Sequence, residues 1–332
     1  MYSGVSLRVF PRPIVVVSEC ITFAPVRYDG QIISSEVVEK LKPYVDFIPV
    51  CPEVGIGLGI PRQPVRIVLV NGERRLIQPA TGADFTEKMR AFAESFLDSL
   101  QEVDGFILKH GSPSSGLRNV KVYGSIQKSA PVGKGPGFFG EAVLQKFPGL
   151  AIEDEGRLMN TKIRNHFLTK LFTMASFREA AKAGKISDLI RFHSENKYLL
   201  TAYSQKELGY MGRIVANQHG KSAAEIFAEY KKHLMLAIAK TPSAGSYANV
   251  LLKIMGYFSG SLSKEEKAFF IERVEKYKAG QLPLSALLSI LKAWIIRFKQ
   301  DYLSAQIFLE PYPEALTELD YSLSQNARDY WK

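Results

Sequence analysis

Short apolar runs alternate with amphipathic stretches in the first half of the chain, and an unbroken helical period takes over in the second. Segments 14–17, 47–50, 65–70 and 105–108 are rich in β-branched residues and bounded by turn formers, so they predict buried strands. Asn71-Gly72 between 65–70 and 74–77 predicts a two-residue hairpin, because both turn residues tolerate positive φ. Between the strands, 35–41 carries Val37, Val38 and Leu41 on one helical face. The stretch 84–100 does the same with Met89, Phe92, Ala93, Phe96, Leu97 and Leu100, and Asp84 is positioned to cap it. This alternation predicts a layered, Rossmann-like α/β domain with a mostly parallel sheet. From about residue 157, segments near 160–182, 185–193, 204–218, 222–240, 246–258, 263–279 and 283–303 repeat at 3.6 residues and break at Gly184, Gly220, Pro242, Gly260 and Gly280. The expected organisation is an α/β domain over 1–158 followed by an all-helical domain over 159–332.

Three segments follow strand patterns directly: VSECI with Cys20, CPEVGIGLGIPR with Cys51 and Glu53, and LKHGSPSSG with Ser112 and Ser115. In open α/β sheets ligands gather just past the carboxyl ends of strands, so these segments are expected to meet at one sheet edge. Cys20 and Cys51 are the only cysteines in 332 residues. Two cysteines make no disulfide framework, and taken singly each is more often a small buried hydrophobe than a ligand. Glu53 alone reads equally as a cap or surface carboxylate, and Ser112-Pro113-Ser114 as a plain turn. Gly135-x-Gly137-x-x-Gly140 formally matches a dinucleotide fingerprint, but it lies far from the first strand and contains Pro136. It reads instead as a loop opening a helix over 141–147, with amides available to a phosphate.

Together, VSECI, VRYDG, CPE and LKHGSPSSG resemble the thiouracil desulfurase-like family. IQPATGADFTEKM, GKGPGFFGEAVLQKFPGL and EDEGRLMN extend the likeness over most of the first 165 residues. HSENKYLLTAYSQKELGYMGRIVAN resembles the helical YbgA-like domain found fused to it in the longer form, which removes sulfur from 4-thiouridine in transfer RNA. The resemblance implies a [4Fe-4S] cluster held by three cysteines: Cys20 and Cys51 match two of them, and Ser115 stands where the pattern has the third. It also implies Glu53 as general acid/base and Ser112 as the catalytic serine. A serine hydroxyl ionises far less readily than a thiol and is a poorer iron ligand. Three readings of Ser115 stay open: a cluster held by Cys20 and Cys51 with an oxygen or exogenous ligand, an engineered replacement of cysteine, or an RNA-binding protein that has lost its cluster; a desulfurase of the free base is a separate alternative.

The chain carries a net charge of +10, unevenly spread: residues 1–150 hold 17 Lys and Arg against 14 Asp and Glu, the remainder 26 against 19. The excess favours a polyanion on the helical part, transfer RNA by the resemblance. Arg27, Lys109 and Lys134 near the site, and Lys197, Lys206, Arg213, Lys231 and Lys232 in the helices, are the expected RNA contacts, with Tyr203, Tyr210 and Tyr230 expected in the core. His110 beside the serine loop is readable as a base, although the family does not require one there. No run reaches the roughly 20 apolar residues of a membrane span, no secretory signal is evident, and no protein partner is implied. A cytoplasmic location is expected.

Overall fold

A computed structural model describes residues 8–317 apart from 128, 218 and 219. Its contacts divide the chain inside a long helix. Met1–Ala175 with Tyr312–Lys332 forms one unit and Ser176–Pro311 the other.

The first unit holds strands β1 (Ile14–Ser18), β2 (Asp46–Val50), β3 (Arg66–Val70), β4 (Glu73–Gln78), β5 (Ala83–Asp84), β6 (Gly105–Leu108), β7 (Val120–Tyr123), β8 (Pro131–Gly135) and β9 (Ala151–Asp154). Helices α1 (Glu36–Leu41), α2 (Pro52–Gly55), α3 (Thr86–Ser99) and α4 (Phe138–Lys146) lie between them, and α5 (Thr161–Ala183) follows. The strands form two sheets where the hydrophobic pattern implied one. The first, in order β2-β1-β6-β9, is wholly parallel; the second, β5-β4-β3-β7-β8, is mixed. Val15, Val16 and Val17 of β1 and Phe106, Ile107 and Leu108 of β6 are solvent-inaccessible. Such two-faced burial explains why these strands read as continuous apolar runs. Asn71 and Gly72 take φ of 52° and 82°, the two-residue hairpin turn, and pair Val70 with Glu73. Helix α3 begins two residues later than its pattern indicates, with the Asp84 carboxylate accepting the Thr86 amide at 2.8 Å.

The second unit is helical: α6 (Ile186–Glu195), α7 (Lys197–Tyr203), α8 (Gln205–Ala216), α9 (Ala223–Ala237), α10 (Ala244–Gly256), α11 (Lys264–Lys278), α12 (Leu284–Phe298) and α13 (Asp301–Ser304). Leu251, Ile254, Phe258, Phe270, Leu287, Leu291 and Trp294 share one core cluster. Ser222 and Ser263 open α9 and α11 with reciprocal capping boxes to Glu225 and Glu266. The run expected over 283–303 is broken by Lys299, whose φ of 50° ends α12 before α13 begins. Among the described residues no helix is long and apolar enough to cross a membrane.

Candidate functional site

The proposed site lies where three neighbouring parallel strands end. β1 pairs with β2 through Ser18↔Val50 and with β6 through Val17↔Ile107, so the segments leaving all three strands emerge side by side. Cys20 follows β1, Cys51 follows β2, and the serine loop follows β6. Two bonds bind these exits together: Glu19 N–H to Val50 O at 2.9 Å, and Lys109 N–H to Ser18 Oγ at 2.9 Å. Because the chain moves outward from β1 to β2 and then returns to the far side of β1 with β6, the strand order reverses here. That is the position at which doubly wound sheets open a ligand crevice.

Both thiols are free, Cys20 buried and Cys51 partly so. Burial first, and then the neighbouring Cys51, push the Cys20 thiol up to about 12, with Lys109 acting in the opposite direction. Burial raises Cys51 as well, against the Val54 amide and the Arg62 guanidinium, which favour its thiolate. Each sulfur is thus held neutral by desolvation in the absence of a cation, and a metal bound between them would reverse that balance. Cys51 Sγ is 3.8 Å from Val26 O, which gives the VRYDG segment a role: its first carbonyl reaches into the site.

Glu53 sits on the single turn of α2, 12% exposed, with both carboxylate oxygens engaged. Arg62, only 5% exposed, donates from Nε at 3.0 Å and Nη2 at 2.6 Å to Oε2. Its Nη1 reaches Val26 O at 2.9 Å and Gly59 O at 3.3 Å, and Nη2 lies 3.9 Å from Cys51 Sγ. On the other side, Ser114 Oγ donates to Glu53 Oε1 at 2.9 Å, and Ser112 Oγ lies 2.9 Å from Ser114 Oγ. Arg62 and Ser114 were legible only as letters of GIGLGIPR and SPSSG, with no role attached. Arg62 is brought in by the chain path: the turn at Gly57 (φ 88°) and the Ile60-Pro61 segment fold the chain back, so that Arg62 N–H bonds Tyr28 O at 2.8 Å and the guanidinium meets Glu53.

The glycine motif before α4 serves the serine loop. Gly137 N–H bonds Gly116 O at 2.7 Å, Phe139 N–H and Gly140 N–H bond Ser114 O at 2.9 and 3.0 Å, and Phe138 N–H bonds Pro113 O at 3.2 Å. A Cβ at Gly137 would stand 2.5 Å from Ser114 O and one at Gly140 2.4 Å from Gly116 O, which accounts for both glycines. The expectation that these amides meet a phosphate is therefore corrected: the loop's own carbonyls occupy them. Ser115 is 3% exposed within this loop, its N–H bonded to Ser112 Oγ at 3.1 Å.

The cations named from sequence fall into two groups. Lys109 pairs closely with Glu155, whose other oxygen accepts the His110 amide at 2.7 Å. His110 Nδ1 lies 3.4 Å from the buried Asp154 carboxylate. Arg27 pairs with Asp29 at 3.5 Å and lies over the Tyr28 ring, while Lys134 is exposed on β8. In the helical unit Lys197, Lys206, Arg213, Lys231 and Lys232 are all exposed. Tyr230 is fully buried, stacked on Phe177, and Tyr203 packs against the core. Tyr210 differs from expectation: it is 38% exposed, stacked on His233 at 5.1 Å with Arg213 4.6 Å and Lys206 6.0 Å from its ring centre. The edge of the His233 ring is held as well, Nδ1 lying 2.7 Å from Glu207 Oε2. A short helical period cannot distinguish a core tyrosine from one laid along the rim, and here the rim prevails.

Residues 15–155 match the family model described as 2-thiouracil desulfurase. A Bacillus subtilis protein, uncharacterized YbbK, is 32% identical over 110 residues, which cover 72% of its length and 31% of this chain. The chain belongs to the 2-thiouracil desulfurase family. Residues 197–313 match a second model, a protein of unknown function designated DUF1722. Escherichia coli uncharacterized YbgA is 25% identical over 129 residues, 76% of its length and 39% of this chain, so the helical part is YbgA-like. Among solved structures, the [4Fe-4S]-dependent thiouracil desulfidase TudS is 30% identical, with a TM-score of 0.36 over 44% of this chain and 93% of its own.

Among the described residues no three of His, Cys, Asp and Glu group closely enough to hold a metal ion. Cys20 and Cys51, two desolvated thiols at adjoining strand ends, are the soft donors of the kind iron takes, whereas Ser115 in the neighbouring loop offers only a hydroxyl.

Proposed function

We propose that this protein is a desulfidase that replaces the thiocarbonyl sulfur of thiolated uracil with oxygen, acting on 4-thiouridine in transfer RNA. The observation that carries the reading is the convergence of Cys20, Cys51, Glu53 and the Ser112 loop at the ends of β1, β2 and β6. Family membership supports the desulfidase chemistry. The RNA form of the substrate is supported by the exposed cations and the half-exposed Tyr210 of the YbgA-like unit, a surface on which phosphates and an unpaired base find partners.

Desulfidation of this kind is a hydrolysis: water adds to the carbon, sulfur leaves as hydrogen sulfide, and no electrons are gained or lost. An iron–sulfur cluster held by Cys20, Cys51 and Ser115 would supply a Lewis acid for the soft sulfur. Glu53 accepts the proton of the attacking water, and Arg62 fixes its carboxylate in one rotamer so that Oε1 stays turned toward the serines. Ser112, its oxygen held by the Ser114 and Ser115 amides at 3.3 and 3.1 Å, orients substrate and water at the loop.

The test is anaerobically purified whole chain mixed with thiolated transfer RNA or with free thiouracil, read by loss of thiocarbonyl absorbance and by sulfide release. The expected result is turnover of the RNA, with Glu53→Gln slower by about 10²-fold or more. Consumption of the free base alone would replace the RNA substrate with the small one. RNA binding by colourless protein that leaves thiouridine intact would overturn the enzymatic reading.

A further inference from the structure

We infer that Ser114 is a positioning residue that connects Glu53 to Ser112 as one proton wire, so that Glu53 acts on the attacking water through two hydroxyls. The inference rests on the desulfidase reading above and adds a residue to it. Three observations fix the direction of the wire. The Glu53 carboxylate faces the buried Arg62 guanidinium and can only accept hydrogen bonds, so the single Ser114 hydroxyl proton is the one spent on Oε1 at 2.9 Å. The 2.9 Å contact between Ser112 Oγ and Ser114 Oγ must then be donated by Ser112. Ser112 Oγ itself accepts the amides of Ser114 and Ser115, two backbone donors aimed at the atom where negative charge develops once its proton leaves.

The step balances without any further reagent. Water gives a proton to Ser112 Oγ as its oxygen bonds to the thiocarbonyl carbon. Ser112 passes its own proton to Ser114 Oγ, and Ser114 passes its own to Glu53 Oε1. At the end both serines are neutral and Glu53 is a carboxylic acid; the reverse transfer returns one proton to the departing sulfur as the carbon–sulfur bond breaks, and the proton that the new hydroxyl loses in becoming the carbonyl is the second one that hydrogen sulfide carries away. The resting hydrogen bonds already point this way, so no hydroxyl has to turn before the first transfer. Ser114 suits the task because it cannot drift: it is 1% exposed, and its carbonyl is held by two amides at the start of α4.

Ser114→Ala removes the hydroxyl and leaves those backbone bonds in place. The expected outcome is a loss of about 10²-fold in kcat with KM within threefold of the parent, at equal iron content. A kcat within threefold of the parent, or a loss carried entirely by KM, would overturn the wire. In the unmodified protein, kcat plotted against deuterium fraction is expected to bow, as several protons move together; a straight line would also overturn it. If the unmodified protein consumes no thiolated uracil, the desulfidase reading fails by itself, and the wire is judged by infrared difference spectra. There the Glu53 carboxylate band, assigned with Glu53→Gln, is expected to shift in Ser114→Ala, and an unmoved band refutes the contact.

Discussion

Replacing Arg62 by Met tests how the site is held together. The substitution keeps most of the aliphatic stem and deletes five donated contacts: two to Glu53, one each to Val26 O and Gly59 O, and one to Cys51 Sγ. With Arg62 5% and Glu53 12% exposed, solvent replaces little of what is lost, and the carboxylate is left buried without its countercharge. Breaking such a pair from one side costs about 3–5 kcal/mol. Removing both charges in Arg62→Met with Glu53→Gln is expected to recover about 2 kcal/mol of that, since no isolated ion remains. The measurement is native-state hydrogen exchange at β1, β2 and β6 amides, which reports the first unit without interference from the helical one. A single-variant cost below about 1 kcal/mol, or a double variant no better than the single, would refute the claim that Arg62 neutralises Glu53 in a desolvated setting.

Ser115→Cys is expected to raise iron and sulfide retained per chain and to slow cluster loss in air, whereas Cys20→Ser and Cys51→Ser abolish both, as read by metal analysis and visible absorbance. Gly140→Ala is expected to cost about 1–3 kcal/mol in urea unfolding and to lower activity, because the new Cβ meets the backbone oxygens of Gly116 and Ser115 at 2.4 and 2.8 Å. His166 is held down to about 4, first by burial and then by Lys170, so the folded state binds fewer protons than the unfolded one between that value and about 6.5. Stability therefore falls as pH drops through this window, by at most about 3–4 kcal/mol, and His166→Gln flattens the profile in pH-dependent urea titrations.

The parallel core of the first unit was legible because β1 and β6 are buried on both faces and leave nothing polar to confuse the period. The second sheet was not, because β5 is two residues long, β7 offers only Val120 and Val122 as buried positions around exposed Lys121, and β8 is largely exposed, with Val132 and Lys134 facing outward. Cys20, Cys51, Glu53 and the serine loop could be placed at one edge from strand ends alone. Arg62 could not, since its position depends on how Gly57 to Pro61 turn. Nor could the use of the Gly137 and Gly140 amides be read, because a glycine signals only that backbone comes close and never which backbone. In the helices, exposure of the cations followed from their period, while Tyr210 escaped because an aromatic at the edge of an apolar stripe satisfies the same pattern as one in its centre.

The loop that carries Ser115 owes its shape to its backbone and to Ser112. Gly116 N–H bonds Ser112 O at 2.9 Å, Ser112 Oγ takes the next two amides, and the carbonyls of Pro113, Ser114 and Gly116 end on α4. No hydrogen bond from the Ser115 hydroxyl contributes to that scaffold among the described residues. Exchange of sulfur for oxygen at this position therefore changes a donor atom without moving the groups around it, and Glu53, Arg62, Ser112 and Ser114 keep their contacts in either case. Cofactor retention and the geometry of proton transfer are in this way separable properties of one loop. Ser115→Cys is then expected to alter the iron content while leaving the Glu53 carboxylate band where it was; movement of that band would mean that residue 115 helps to shape the loop, and the separation would fail.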